Sequence, residues 1–291
     1  MTTGEAEASG PTVRRIVLGG QLRRLREAAG VSREEAGYAI RGSESKISRI
    51  ELGRVSFKER DVADLLTLYG VGDEEEHETF LDMVRKSNEA NWLLRYNDVV
   101  PKWFQGYVSL EEAVARIQTY EILFVPGLIQ TQRYTSAVIR QGLPDASEEE
   151  IEHRVKLRMQ RQRVLAHPRA PRLWAVVDES ALRRPIGGMD VLREQIEHLL
   201  EVTKMPNVSL QVLPMDSGRF AAESPFSILR FADAELPDLV YIEHLCGALY
   251  LDKPDDVEIY SKVSHRLAVE AQTPNDTRKT LARILREARK S

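Results

Sequence analysis

Residues 32–51 read Ser32-Arg-Glu-Glu-Ala-Gly-Tyr-Ala-Ile-Arg-Gly-Ser-Glu-Ser-Lys-Ile-Ser-Arg-Ile-Glu51. Ser32 carries the short polar side chain that caps a helix start. Ala36, Gly37 and Ala39 behind it are small enough to let another helix approach closely. Arg41-Gly42 then turns the chain, and Gly42, lacking a Cβ, is expected to take the positive φ. Ser43 caps a second helix on which Ile47 and Ile50 point inward while Glu44, Ser45, Lys46, Ser48 and Arg49 point out. The stretch predicts two short helices, a tight turn between them, and a polar outer face on the second.

The same helical spacing continues on both sides. Ile16, Leu22, Leu25 and Ala29 precede it, and Val62, Leu65, Leu66, Leu68 and Tyr69 follow, so residues 13–89 read as an all-α unit of about five helices. Gly30, Gly42, Gly53 and Gly70 fall between the periodic pieces, where helix C-caps and turns are expected. The acidic run Asp73–Glu78 suits the first turn of a closing helix, with its carboxylates at the positive end of the dipole. Residues 1–12 are small, polar and mildly acidic. They are expected to be a disordered N-terminus, and they lack the charged-then-apolar order of a secretion signal, which points to the cytoplasm.

Charge is unevenly placed. The 291-residue chain has a formal net charge of -4, yet Arg14 to Arg60 holds twelve basic residues against six acidic ones, a local balance of +6. Phosphate binding depends on such a local surface and not on the total. The 42% hydrophobic and 30% charged composition is that of a globular chain, with length for a small and a larger unit. Its longest apolar run, Ile122 to Ile129, is broken by Pro126 and Gly127, far short of the ~20 residues a membrane helix needs. One cysteine, Cys246, excludes an internal disulfide and any zinc site requiring two thiolates from this chain.

Residues 90–108 form an aromatic-rich connector, with Trp92, Tyr96, Trp103, Phe104 and Tyr107, which reads either as packed linker or as an interface for a second chain. Residues 109–291 mix two periodicities. Leu110–Glu121, Ile129–Arg140, Glu148–Ala166, Val191–Thr203, Pro254–Ala271 and Pro274–Lys290 read as helices. Leu173–Val177, Val208–Leu213, Phe226–Phe231, Leu239–Glu243 and Ala248–Leu251 read as short strands, so the second unit is α+β with a short-stranded mixed sheet. The stripe Leu281, Ile284, Leu285, Ala288 is either core or a pairing surface.

Catalysis finds little support. HExxH, GxSxG, GxxxxGK[ST] and post-strand GxGxxG are all absent, and no cofactor or metal is expected. Asp178-Glu179, Glu243-His244 and Cys246 lack a useful spacing. Glu243 and His244 are neighbours on a strand and point to opposite faces, so one of them is expected to be buried and hydrogen-bonded. Cys246 reads as a small buried apolar residue. The basic stretch Arg154, Lys156, Arg158, Arg161, Arg163 follows Glu148, Glu149, Glu150 and Glu152 at helical spacing; i,i+4 pairs such as Glu150–Arg154 and Glu152–Lys156 are the plainer account, with a second nucleic-acid surface or an acidic partner as alternatives.

The paired helices and turn of residues 32–51 form a helix-turn-helix. Residues 18–70, with "SESKISRIELGR" as the most specific part, resemble the Xre-type regulators related to the lambda and 434 repressors. Ala36 stands where that pattern commonly has leucine, and Arg41 where it commonly has glycine. The remainder resembles the large domain that follows such units in actinomycete regulators, a domain of unknown function often called antitoxin-like. The matching pieces are "SLEEAVARIQTYEILFVPGLIQTQRYTSAVI", "RMQRQRVL", "VVDESALRRPIGG" and "NVSLQVLP".

These resemblances imply a transcriptional regulator bound to double-stranded operator DNA as a homodimer. Glu44, Ser45 and Arg49 fall where base-edge readers sit, with Arg49 able to take a guanine and Glu44 a cytosine amino group. Ser32, Arg33, Ser43, Lys46 and Arg54 fall among candidates for phosphate contact. Arg26 and Glu51 fall where those repressors join the first helix to the end of the recognition helix by an ion pair. A small acidic protein encoded nearby is the implied regulatory partner, and a small-molecule effector is the alternative.

Overall fold

The computed structural model describes residues 11–87, 96, 98–112, 114–167, 170–215, 222–231 and 237–289. Its contacts gather into two units: Met1–Arg95 with Gln105–Ala113 and Asp233–Leu236, and Tyr96–Phe104 with Val114–Ala232 and Pro237–Ser291.

Among the described residues, 11–87 of the first unit form five helices: α1 Pro11–Ala28, α2 Arg33–Ala39, α3 Glu44–Glu51, α4 Glu59–Leu68 and α5 Glu74–Ser87. Pro11 and Thr12, expected to be disordered, already belong to α1, where proline's fixed φ and missing N–H suit a first helical position. The rest of that expectation, residues 1–10, lies outside the described residues. The three-and-four periodicity converges on one core that includes Leu18, Leu22, Ile47, Ile50, Leu65 and Leu66. Close approach is built in by glycine. A Cβ on Gly37 would lie 2.9 Å from the Ser43 carbonyl carbon, and one on Gly19 would lie 2.5 Å from the Ile50 oxygen. Thus α1 and α2 rest almost directly on the backbone of α3.

Four helices end in one motif. After α1, the Gly30 and Val31 amides donate to the Glu27 and Arg26 carbonyls, and the same double closure follows α2, α3 and α4. This Schellman arrangement needs a left-handed residue just past the C-cap. Gly30, Gly53 and Gly70 take that place after α1, α3 and α4 with φ of +68°, +64° and +82°. After α2 it is Arg41, at φ +51°, and not Gly42 as expected. A Cβ on Gly42 would lie 2.8 Å from Lys46 Cδ, near the end of a flexible side chain.

α6, Lys102–Glu111, precedes the second unit's sheet. The sheet has β1 Val114–Glu121, β2 Arg172–Asp178, β3 Val208–Leu213, β4 Phe226–Phe231, β5 Leu239–His244 and β6 Gly247–Leu251, in the order β3-β2-β1-β4-β5-β6. The β1, β2 and β3 strands run parallel, while β4, β5 and β6 join antiparallel, giving a six-stranded mixed sheet. The crossover after β1 carries α7 Gln132–Gly142 and α8 Glu148–Gln162; the one after β2 carries α9 Glu179–Arg183 and α10 Met189–Val202. Two helices close the chain, α11 Pro254–Glu270 and α12 Pro274–Ala288.

One expected element takes another form, and two helices, α6 and α9, were not expected. Leu110–Glu121, expected to be a helix, is split between the end of α6 and the central strand β1. Val114, Ile117 and Tyr120 fall three apart and imitate a helical stripe, while the sheet's interior also takes polar residues. Gln118 and Thr119 are buried, satisfied by Arg230 Nε at 2.8 Å and the Ser227 hydroxyl at 3.0 Å. Hydrogen-bonded burial hid the alternation. The stripe Leu281, Ile284, Leu285, Ala288 is core, buried on α12, and offers no pairing surface. Of the aromatic connector, Trp92 lies outside the described residues; Tyr107 is buried, and Phe104 carries the Arg161 guanidinium 4.8 Å above its ring.

Candidate nucleic-acid interface

The outer face of α3 follows from its capped start and its two inward isoleucines. Ser43 Oγ accepts from the Lys46 amide at 3.2 Å, and Ile47 and Ile50 are buried. That phase leaves Glu44, Ser45 and Arg49 exposed together. Arg49 Nε donates to the Ser45 carbonyl at 3.2 Å, which holds the guanidinium along the helix surface.

Behind this face lies a buried ion pair. Arg26 of α1 gives Glu51 its Nε at 2.5 Å and its Nη2 at 3.3 Å, and its Nη1 donates to the Val31 carbonyl at 2.9 Å. Arg26 and Glu51 are 7% and 4% exposed. Burial opposes the Arg26 charge, but the hydrogen bond and charge of Glu51 outweigh it and hold its pKa above the ordinary arginine value. Burial, with the Glu51 charge added, likewise raises the Tyr69 hydroxyl. The carboxylate at the end of α3 therefore ties α1 to the helix.

Most of the residues offered for phosphate contact have work inside the unit. Arg33 Nε reaches the second oxygen of Glu51 at 3.1 Å. Lys46 Nζ lies 2.6 Å from Asp61 of α4. Ser32 forms a capping box: it accepts from the Glu35 amide at 3.1 Å, while the Glu35 carboxylate accepts from the Ser32 amide at 2.8 Å. Ser43 is the cap of α3, and Arg54 is half-buried past its end. Two exposed residues that the sequence reading did not assign to DNA lie just ahead of α3: Tyr38 on α2, 87% exposed, and Arg41 in the turn. The departure from glycine at position 41 was the signal.

In the second unit the acidic and nucleophilic residues are scattered. Asp178 caps α9 by accepting from the Ser180 amide at 2.9 Å. Glu179 is held by Arg183 at 2.8 Å and Arg283 at 3.0 Å. Neither Glu243 nor His244 is buried; the Glu243 carboxylate accepts from the Tyr241 hydroxyl at 3.1 Å. Cys246 is exposed in the turn between β5 and β6, not buried, because a two-residue hairpin tip has no core to enter. The pairs Glu150–Arg154 and Glu152–Lys156 form, at 2.9 and 3.6 Å.

The helix-turn-helix of the first unit is that of a DNA-binding regulator. A family model described as helix-turn-helix domain matches residues 17–80. The chain belongs to the family described as domain of unknown function (DUF5753), whose model matches residues 104–283. No curated protein and no solved structure matches it. No helix among the described residues is long and apolar enough to cross a membrane.

Proposed function

We propose that the chain is a sequence-specific transcriptional regulator of the Xre type that binds a pseudo-palindromic operator as a homodimer in the cytoplasm. The observation that supports it most is the exposed row Glu44, Ser45 and Arg49 on a helix whose other face is buried and whose end is anchored by the Arg26–Glu51 pair. A helix so held presents base readers at a set angle, which direct readout in the major groove requires. One recognition helix offers too few base contacts for genomic selectivity, and two-fold pairing over a palindrome doubles them. The second unit is the regulatory part, antitoxin-like in sensing a small acidic protein, with a small-molecule effector as the alternative.

Footprinting of the full chain on the DNA upstream of its own coding sequence, with sedimentation of the free protein, tests the reading. Protection of two half-sites one or more helical turns apart by a dimer supports it. Uniform, sequence-independent protection rejects it. Co-purification of a small acidic protein separates protein sensing from effector sensing.

A further inference from the structure

We propose that Arg41 contacts the DNA backbone, gripping a phosphate beside the recognition helix; this rests on the DNA-binding reading above. The same helix-ending motif occurs four times in the first unit and places glycine in the left-handed position three times, at Gly30, Gly53 and Gly70. The exception is Arg41, at the turn leading into α3. An L-residue with a long side chain is strained there, and glycine is the unstrained choice. The neighbouring Gly42 does not relieve that strain, because the positive φ stays on Arg41. Strain that persists where a simpler residue would remove it points to a role for the side chain.

The charge inventory points the same way. Arg33 and Lys46 each have a carboxylate partner inside the unit, Glu51 and Asp61. Arg41 is exposed, and among the described residues no carboxylate pairs with it. Its place suits a backbone contact. A helix with its side chains is about 10–12 Å across and the major groove is about 12 Å wide. With α3 filling the groove, a residue just ahead of its first turn meets the groove wall, where phosphates run. The Arg41 fork would take two phosphate oxygens and displace a condensed counterion.

The test uses the full chain and the operator found by footprinting, with affinities measured from 50 to 300 mM salt alongside thermal melts. Arg41→Gly should raise the melting temperature by removing the strain, yet bind about fivefold more weakly at 0.15 M salt, with a salt slope smaller by about 0.9. Arg41→Lys, still charged, should keep the wild-type slope. Unchanged affinity and slope in Arg41→Gly would overturn the proposal, as would a lower melting temperature, which would make the side chain structural. A slope lost equally in Arg41→Lys would overturn the charge argument. A wild-type chain without operator preference would remove the DNA-binding reading itself, an outcome visible before any variant is compared.

Discussion

The Arg26 guanidinium and the Glu51 carboxylate meet inside the first unit at 2.5 Å, 25 residues apart in sequence, with Arg33 on the carboxylate's other oxygen. A buried pair of this kind resists loss of one partner more than loss of both, because the survivor is left charged without compensation. Glu51→Ala and Arg26→Ala are each expected to cost about 3–5 kcal/mol, and the double variant much less than their sum. Denaturant melts of the four proteins check this. Zero coupling would reduce them to independent charges.

Lys46 and Arg49 share α3 but differ in their surroundings: Lys46 pairs with Asp61, while Arg49 lies exposed along the helix. Arg49→Ala should lose about 1–3 kcal/mol of specific binding and relax the preference at one base pair. Lys46→Ala should act first on stability, by up to about 1 kcal/mol, since it releases the half-buried Asp61. Operator titrations at fixed salt with matched thermal melts distinguish them; an unchanged operator preference in Arg49→Ala would reject the assignment of α3.

Gly19→Ala should destabilise by about 1–3 kcal/mol, the usual range for overpacking. The added methyl would lie 2.5 Å from the Ile50 oxygen and 2.6 Å from the Glu51 oxygen, and backbone yields less than a side chain does. Chemical denaturation measures the loss. A silent substitution would show that α1 and α3 pack less tightly than described.

Burial pushes the Glu121 carboxyl, at the end of β1, up to about 8, with the Glu243 charge adding to the rise and Arg158 opposing it. The folded chain therefore holds this proton more tightly than the unfolded chain. Stability from this group is complete below the ordinary carboxylate range and declines as pH rises towards 8. Glu121→Gln should flatten that decline and melt higher than wild type above pH 8. Melts from pH 5 to 9 give the answer; parallel curves for the two proteins would count against it.

Much of the architecture was legible in the sequence because local chemistry enforces it. Ser32 and Ser43 cap, isoleucines recur at helical spacing, and the strands Val208–Leu213 and Phe226–Phe231 have the bounds their composition suggests. The Arg26–Glu51 meeting was legible only through resemblance, since nothing in the spacing of two residues 25 apart brings them together.

Sequence by itself determined the helix-turn-helix, the α+β class of the second unit and the exposed row Glu44, Ser45, Arg49, all consequences of periodicity over a few turns. Tertiary structure decided which charges meet inside the first unit. Lys46 and Arg33, candidates for phosphate contact in the sequence, pair with Asp61 and Glu51 in the fold. It also decided which residue turns the chain before α3. Gly42 and Arg41 are equally placed in sequence, but the double closure of α2 puts Arg41 in the left-handed position. Local propensity specifies elements, but pairing and close approach depend on neighbours that only the packed fold supplies.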